Sequence, residues 1–151
     1  MIQLARPGDL DAVEALAQQV HAMHVAWRPD LYQMAQPLYS QARFAEALKN
    51  RELYVAVLDH QVVGYGLIRI RTAAQDGLVP RKVMLLDEFC VDETRRGQGI
   101  GTQMLEELQV LARAFGCTDL QLRVNPQNEA ALAFYRKNGL TIQDVKLQLA
   151  L

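Results

Sequence analysis

Between residues 96 and 101 the chain reads Arg-Gly-Gln-Gly-Ile-Gly, directly after a further arginine, Arg95. Backbone N–H groups can converge on an anion only where side chains leave room, so Gly97, Gly99 and Gly101 suit a phosphate-binding turn. A helix starting there would add the positive end of its dipole, and Arg95 and Arg96 would add formal charge. Just upstream, Asp87 and Glu88 form the one acidic pair inside an otherwise apolar run from Val83 to Val91. At least one of them is expected to face a polar cleft, although on a regular strand the two point to opposite faces unless a bulge intervenes. Tyr135 carries a phenol of ordinary pKa about 10, protonated at neutral pH and able to donate; its alternative role is packing beside Leu132. Cys90 is a competent nucleophile in principle, but no histidine lies near it in sequence and an apolar setting raises a thiol's pKa, so a covalent route is not expected. His21 and His24 supply two imidazoles without a third ligand, a poor metal site, and no metal is expected. They stand either at the mouth of a cleft or packed against it.

Three phosphate loops compete for the glycine run. A dinucleotide fingerprint G-x-G-x-x-G would need glycine at 102 or 104, where the chain has Thr102 and Met104. A nucleoside-triphosphate loop requires lysine followed by serine or threonine at its end, and Ile100-Gly101-Thr102 has no lysine. Both spacings fail, leaving an R-G-x-G-x-G turn after a strand.

The elements that must hold these residues follow from periodicity. Residues 1 to 5 read as a short strand; Asp9 is an expected N-cap for a helix carrying Leu10, Val13, Leu16, Val20, Met23 and Trp27 on one face. Residues 27 to 39 read as a loop, and Ser40 caps a shorter helix with Phe44 and Leu48. The runs Leu53 to Val57 and Val62 to Ile70, parted by Asp59-His60, predict a hairpin. A loop at 72 to 81 leads to the strand at 83 to 91. The glycine run then opens a helix bearing Leu105, Leu108, Leu111 and Ala112, stopped by Gly116. Leu120, Leu122 and Val124 predict another strand, Asn128 caps a helix over 129 to 137, and Val145, Leu147 and Leu149 predict a last strand. The order β-α-α-β-β-β-α-β-α-β describes a single mixed α/β domain over 1–151, with its strand-turn-helix-strand unit parallel by the right-handed crossover rule.

This chain resembles the GNAT superfamily of acetyl-CoA-dependent N-acetyltransferases, whose motif A is written Q/R-x-x-G-x-G/A and is filled here by Arg96, Gly99 and Gly101. The likeness extends to Leu86-Asp87-Glu88-Phe89-Cys90-Val91, to Asn128 with Ala131 and Phe134-Tyr135, and to the element order. The resemblance implies a central sheet with splayed parallel strands at the cofactor site. Phe89, Cys90 and Val91 would pair with the pantetheine arm, Arg96, Gly97, Gln98, Gly99, Ile100, Gly101 and Thr102 would hold the pyrophosphate, and Asn128 would touch the cofactor. Tyr135 matches the family tyrosine that protonates the departing thiolate, and a backbone N–H near Phe89 or Cys90 would meet the oxyanion. Asp87 and Glu88 stand where the family has a Glu-Asp pair, in reversed order, so the base is left open among Asp87, Glu88 and water. The segment from His24 resembles the substrate-side loop of small bacterial members, which makes Trp27, Asp30 and Tyr32 acceptor-site candidates beside His24.

The expected activity is direct transfer of an acetyl group from acetyl-CoA to a primary amine of a small molecule or peptide. The alternative is a catalytically silent acyl-CoA-binding regulatory module, and a longer acyl group stays open. With sixteen Lys and Arg against seventeen Asp and Glu and no block of like charge, nucleic acid is not an expected partner. Half the residues are hydrophobic, enough for a real core. The chain shows no run long enough to span a bilayer and no signal-peptide pattern, so no membrane partner and a cytoplasmic location are expected. Alternation of Leu147, Leu149 and Leu151 suggests an edge for a homodimer.

Overall fold

A computed structural model describes residues 1–151. Its elements run β1 (Ile2–Leu4), α1 (Leu10–Trp27), α2 (Gln41–Lys49), β2 (Leu53–Leu58), β3 (Gln61–Ala73), β4 (Arg81–Val91), α3 (Ile100–Ala114), β5 (Asp119–Leu122) and α4 (Glu129–Lys137), with 3₁₀ turns at Pro7–Asp9 and Glu93–Arg95. The five strands form one sheet in chain order. Neighbours are antiparallel except β4 and β5, which are parallel.

Chemistry in the local sequence explains most of these elements. The β2–β3 hairpin turns on Asp59 and His60, both at positive φ, as a two-residue turn matched to strand twist requires. Ser40 caps α2 by accepting from the Arg43 amide. Asp9 stands at the N-cap of α1 without a capping bond; its carboxylate instead accepts from the Arg6 amide at 2.8 Å. The expected loop at 72 to 81 is shorter, because β3 runs on to Ala73 and β4 begins at Arg81. The strand expected at the end of the chain does not form: residues 141–151 belong to no sheet, and the observed order stops at α4.

The core lies on both sheet faces. On one, Val13, Leu16 and Ala17 of α1 and Phe44 and Ala47 of α2 pack on Leu53, Val55, Tyr65 and Leu67. On the other, Leu105, Leu108 and Ala112 of α3 cover Ile68, Met84 and Leu86. These two layers pin β4 from both sides.

Two irregularities of β4 create the site. Pairing with β5 runs only from Val83 to Leu86, while β4 continues to Val91, so the parallel strands part after Leu86. Opposite β3, Leu67 pairs with Glu88 but Ile68 pairs with Leu86, leaving Asp87 as the extra residue of a bulge.

Candidate active site

Where β4 and β5 part, a cavity of about 360 Å³ passes through the sheet. Ala17, Val20, His21 and His24 of α1 line one end, and Asn128, Ala131 and Tyr135 of α4 the other, with Asp87, Glu88 and Phe89 between them.

The bulge resolves the facing of the acidic pair. Glu88 turns to the α1–α2 side, where its Oε2 accepts from the Tyr39 hydroxyl at 2.8 Å and the Tyr65 hydroxyl at 2.7 Å, and its Oε1 accepts from Arg43 at 2.5 Å. Asp87 pairs at 2.9 Å with Arg69, which shares a face of β3 with Tyr65 by strand alternation. Both carboxylates therefore look to the same side of the sheet. Regular alternation would have divided them.

Tyr39, Arg43 and Tyr65 are the residues that sequence patterning missed. They come from the loop before α2, from α2 and from β3, and no spacing in the chain links them. Their placement is nevertheless built in. Glu14 of α1 accepts from the amides of Leu38 and Tyr39, at 2.7 Å for Tyr39, and fixes that loop; the Arg43 guanidinium then lies 3.9 Å from the Tyr39 ring centre. Burial first, and the Glu88 charge second, push both phenols well above the ordinary tyrosine range, so both remain donors to Glu88.

On the other side of β4, Phe89 stacks on Phe134 with ring centres 6.1 Å apart, and Tyr135 stands 6.3 Å from Phe89. Burial pushes the Tyr135 phenol up to about 12, so it stays protonated across the neutral range. Cys90 is buried and reduced; burial pushes its thiol up to about 11, which removes the thiolate a nucleophile needs. Its Sγ donates to the Leu16 carbonyl at 3.6 Å.

The glycine run sits at the start of α3. Gly97 and Gly99 have φ of +76° and +81°, and a Cβ at either would meet open space. The first backbone bond of the helix joins the Gln103 amide to the Gly99 carbonyl, so the amides just before it have no helical acceptor and project at the N-terminus. Gly101 is small for a different reason: a Cβ there would lie 3.2 Å from the Phe134 ring. Arg96 donates through Nε to the Val91 carbonyl at 3.0 Å, tying the turn to the end of β4. Gln98, Ile100 and Thr102 belong to the same turn and first helical residues. Asn128 caps α4 by accepting from the Ala131 amide at 3.1 Å and also lines the cavity.

Of the acceptor-side candidates, His24 and Tyr32 line the cavity and stack with ring centres 5.1 Å apart. His21 joins them, its Nε2 2.7 Å from the Gln33 carbonyl. Burial and the neighbouring His21 hold the His24 pKa below its usual value, so it is uncharged at neutral pH. Trp27 and Asp30 are not among the cavity walls; Trp27 touches His24 edge-on, and Asp30 is engaged by Arg28 at 2.7 Å. One cavity thus joins two carboxylates and two histidines to a protonated phenol.

Residues 17–140 match the sequence model of the Acetyltransferase (GNAT) family. The x-ray structure of a tetramutant of a Bacillus halodurans protein superposes over 100% of this chain and 99% of that one, with a TM-score of 0.95 and 30% identity. An aminoglycoside N-acetyltransferase solved in complex with CoA shares the fold at a TM-score of 0.74 and 16% identity, over 100% of this chain and 98% of that one. The thialysine N-epsilon-acetyltransferase of Bos taurus is 32% identical over 78 residues, 52% of this chain. That stretch spans 44% of the bovine protein, less than half its length. With the family match covering most of the sequence and the strand splay, glycine turn and α4 tyrosine in place, the chain belongs to the GNAT family of acetyltransferases.

Proposed function

We propose that this protein transfers an acetyl group from acetyl-CoA directly to a primary amine of a small molecule or peptide. The observation that carries this reading is the single cavity through the sheet, which sets Glu88 and Asp87 on one side of β4 and Tyr135 on the other. Acetyl-CoA would lie along the open edge of Phe89, Cys90 and Val91, whose strand-edge groups suit the two amides of pantetheine. Its pyrophosphate would meet the amides of residues 96 to 102, and Asn128 would border the arm. The bovine relative's name, a thialysine N-epsilon-acetyltransferase, fits an amine acceptor.

In this reading the amine enters from the His21, His24 and Tyr32 end, with Trp27 and Asp30 shaping the loop behind it. Glu88 already accepts from three donors that fix its carboxylate in place, which suits its charge to holding the incoming ammonium. Asp87 or water takes the amine proton. The neutral amine attacks the thioester carbonyl, the oxyanion is met by a backbone N–H near Phe89 or Cys90, and Tyr135 gives its proton to the thiolate as the carbon–sulfur bond breaks. No metal enters the reaction, and the acetyl group never rests on Cys90.

The test is thiol release from acetyl-CoA across a panel of amines, run beside a calorimetric titration of acetyl-CoA alone. Turnover with at least one amine is expected. Tight binding without turnover on any acceptor would overturn the enzyme in favour of a silent acyl-CoA-binding module.

A further inference from the structure

Where β4 and β5 separate, one charge is left unanswered. The two strands run in parallel register from Val83 and Asp119 to Leu86 and Leu122, and there they part. Leu86 packs with Leu105 and Leu108 of α3, and Leu120 and Leu122 join it, so this face of both strands is apolar. Alternation sends the next residue of each, Asp87 and Arg123, to the opposite face, on the α1 side. Had the pairing continued, its register would have set Asp87 beside Arg123.

No such pair forms. Asp87 is engaged by Arg69 at 2.9 Å, and Arg123 takes part in none of the chain's five ion pairs. Both residues line the cavity, as do Arg43 and Glu88. Arg43 is answered by Glu88, so Arg123 is the one charged side chain of these four without a counter-ion. The four charges sum to zero, yet they are segregated: both carboxylates stand on the β4 bank of the gap and the unpaired guanidinium on the β5 bank. A ligand carrying charges of both signs would match both banks at once.

We infer that the acceptor is a small amine that also carries a carboxylate, that is, an amino acid, held with its ammonium at Glu88 and Asp87 and its carboxylate at Arg123. The inference rests on the proposed reading of the cavity as an acyl-transfer site. A guanidinium offers a carboxylate two parallel N–H donors, which fixes orientation as well as charge. Orientation is what the reaction needs, because the amine must face the thioester in the gap once its proton has left. Ala17, Val20 and Leu38 give this side of the cavity an apolar lining suited to the hydrocarbon part of the acceptor.

The experiment compares matched amines by thiol release from acetyl-CoA: phenylalanine beside phenethylamine, lysine beside cadaverine, histidine beside histamine, and ethanolamine phosphate beside ethanolamine. Wild type should prefer at least one amino acid over its decarboxylated partner by about tenfold or more in kcat/KM, through KM. Arg123→Gln should bring that ratio down toward one, and Arg123→Lys should restore part of it; Arg123 is exposed and makes no ion pair, so neither change threatens the fold. Equal rates within every carboxylate pair would overturn the inference, as would a preference that survives Arg123→Gln or one confined to the phosphate pair. If no amine turns over, the enzyme reading fails, and calorimetry on the CoA-bound protein still decides about the site. Tighter binding of an amino acid than of its decarboxylated partner, lost in Arg123→Gln, supports the inference, and equal binding overturns it.

Discussion

At the scale of single residues, the proposed division of labour across β4 makes the two sides respond differently to substitution. Tyr135→Phe keeps the ring against Phe89 and removes only the proton donor. Loss of a general acid costs about 10² to 10⁴ in turnover, so kcat should fall by at least about a hundredfold while acetyl-CoA affinity, read by calorimetry, stays the same. An unchanged kcat would remove Tyr135 from the mechanism. Glu88→Gln acts on the acceptor: it deletes the charge between Arg43 and the two phenols and leaves Arg43 without its counter-ion. Steady-state kinetics should show KM for the amine rising about tenfold or more, equivalent to about 1.4 kcal/mol, with a smaller change in kcat. If kcat instead collapsed and KM held, Glu88 would be the base. The glycine turn, the acidic pair and Tyr135 were legible in sequence because each is a local motif. The Tyr39, Arg43 and Tyr65 cradle was not, because side chains 49, 45 and 23 residues from Glu88 converge only after the sheet and helices pack.

Among the elements, helices and inner strands followed their periodicity, since each has a partner layer that rewards its apolar face. The alternating segment after Val145 has the strand pattern and no strand, because alternation specifies a face whereas pairing needs a neighbour. The bulge at Asp87 had no signal in composition at all, yet it sets which side both carboxylates face. The glycine turn shows how one motif can hold two physical demands. Gly99 is at positive φ facing open space, so Gly99→Ala should cost about 1 to 2 kcal/mol of backbone strain and weaken acetyl-CoA binding through the displaced amides. Gly101→Ala instead presses on the Phe134 ring at 3.2 Å. A second substitution, Phe134→Leu, should therefore recover part of the stability lost in Gly101→Ala and nothing of that lost in Gly99→Ala, as a urea-unfolding double-mutant cycle would report. Equal coupling in both cycles would show that the two glycines serve one purpose.

For the molecule as a whole, the buried neutral acids set a limit on alkaline stability. Burial raises Cys90 to about 11 from 9.0 and Tyr135 to about 12 from 10.0, and raises Tyr39 and Tyr65 further in the same direction. Each group binds its proton more tightly folded than unfolded, so its contribution is complete below the unfolded pKa and is lost as pH rises toward the folded one. Cys90 opens that window at about pH 9. A shift of two units is on the order of 2 to 3 kcal/mol, which is a large share of an ordinary domain's stability. Urea unfolding at one fixed protein concentration, which keeps any association constant, should show stability dropping steeply between about pH 9 and about pH 11. Cys90→Ala should reduce that drop by about 2 kcal/mol, whatever it costs at neutral pH by leaving a small cavity. A variant with the same pH slope as wild type would mean that Cys90 is not the group whose ionisation opens the fold, and the tyrosines around Glu88 would then carry the alkaline transition.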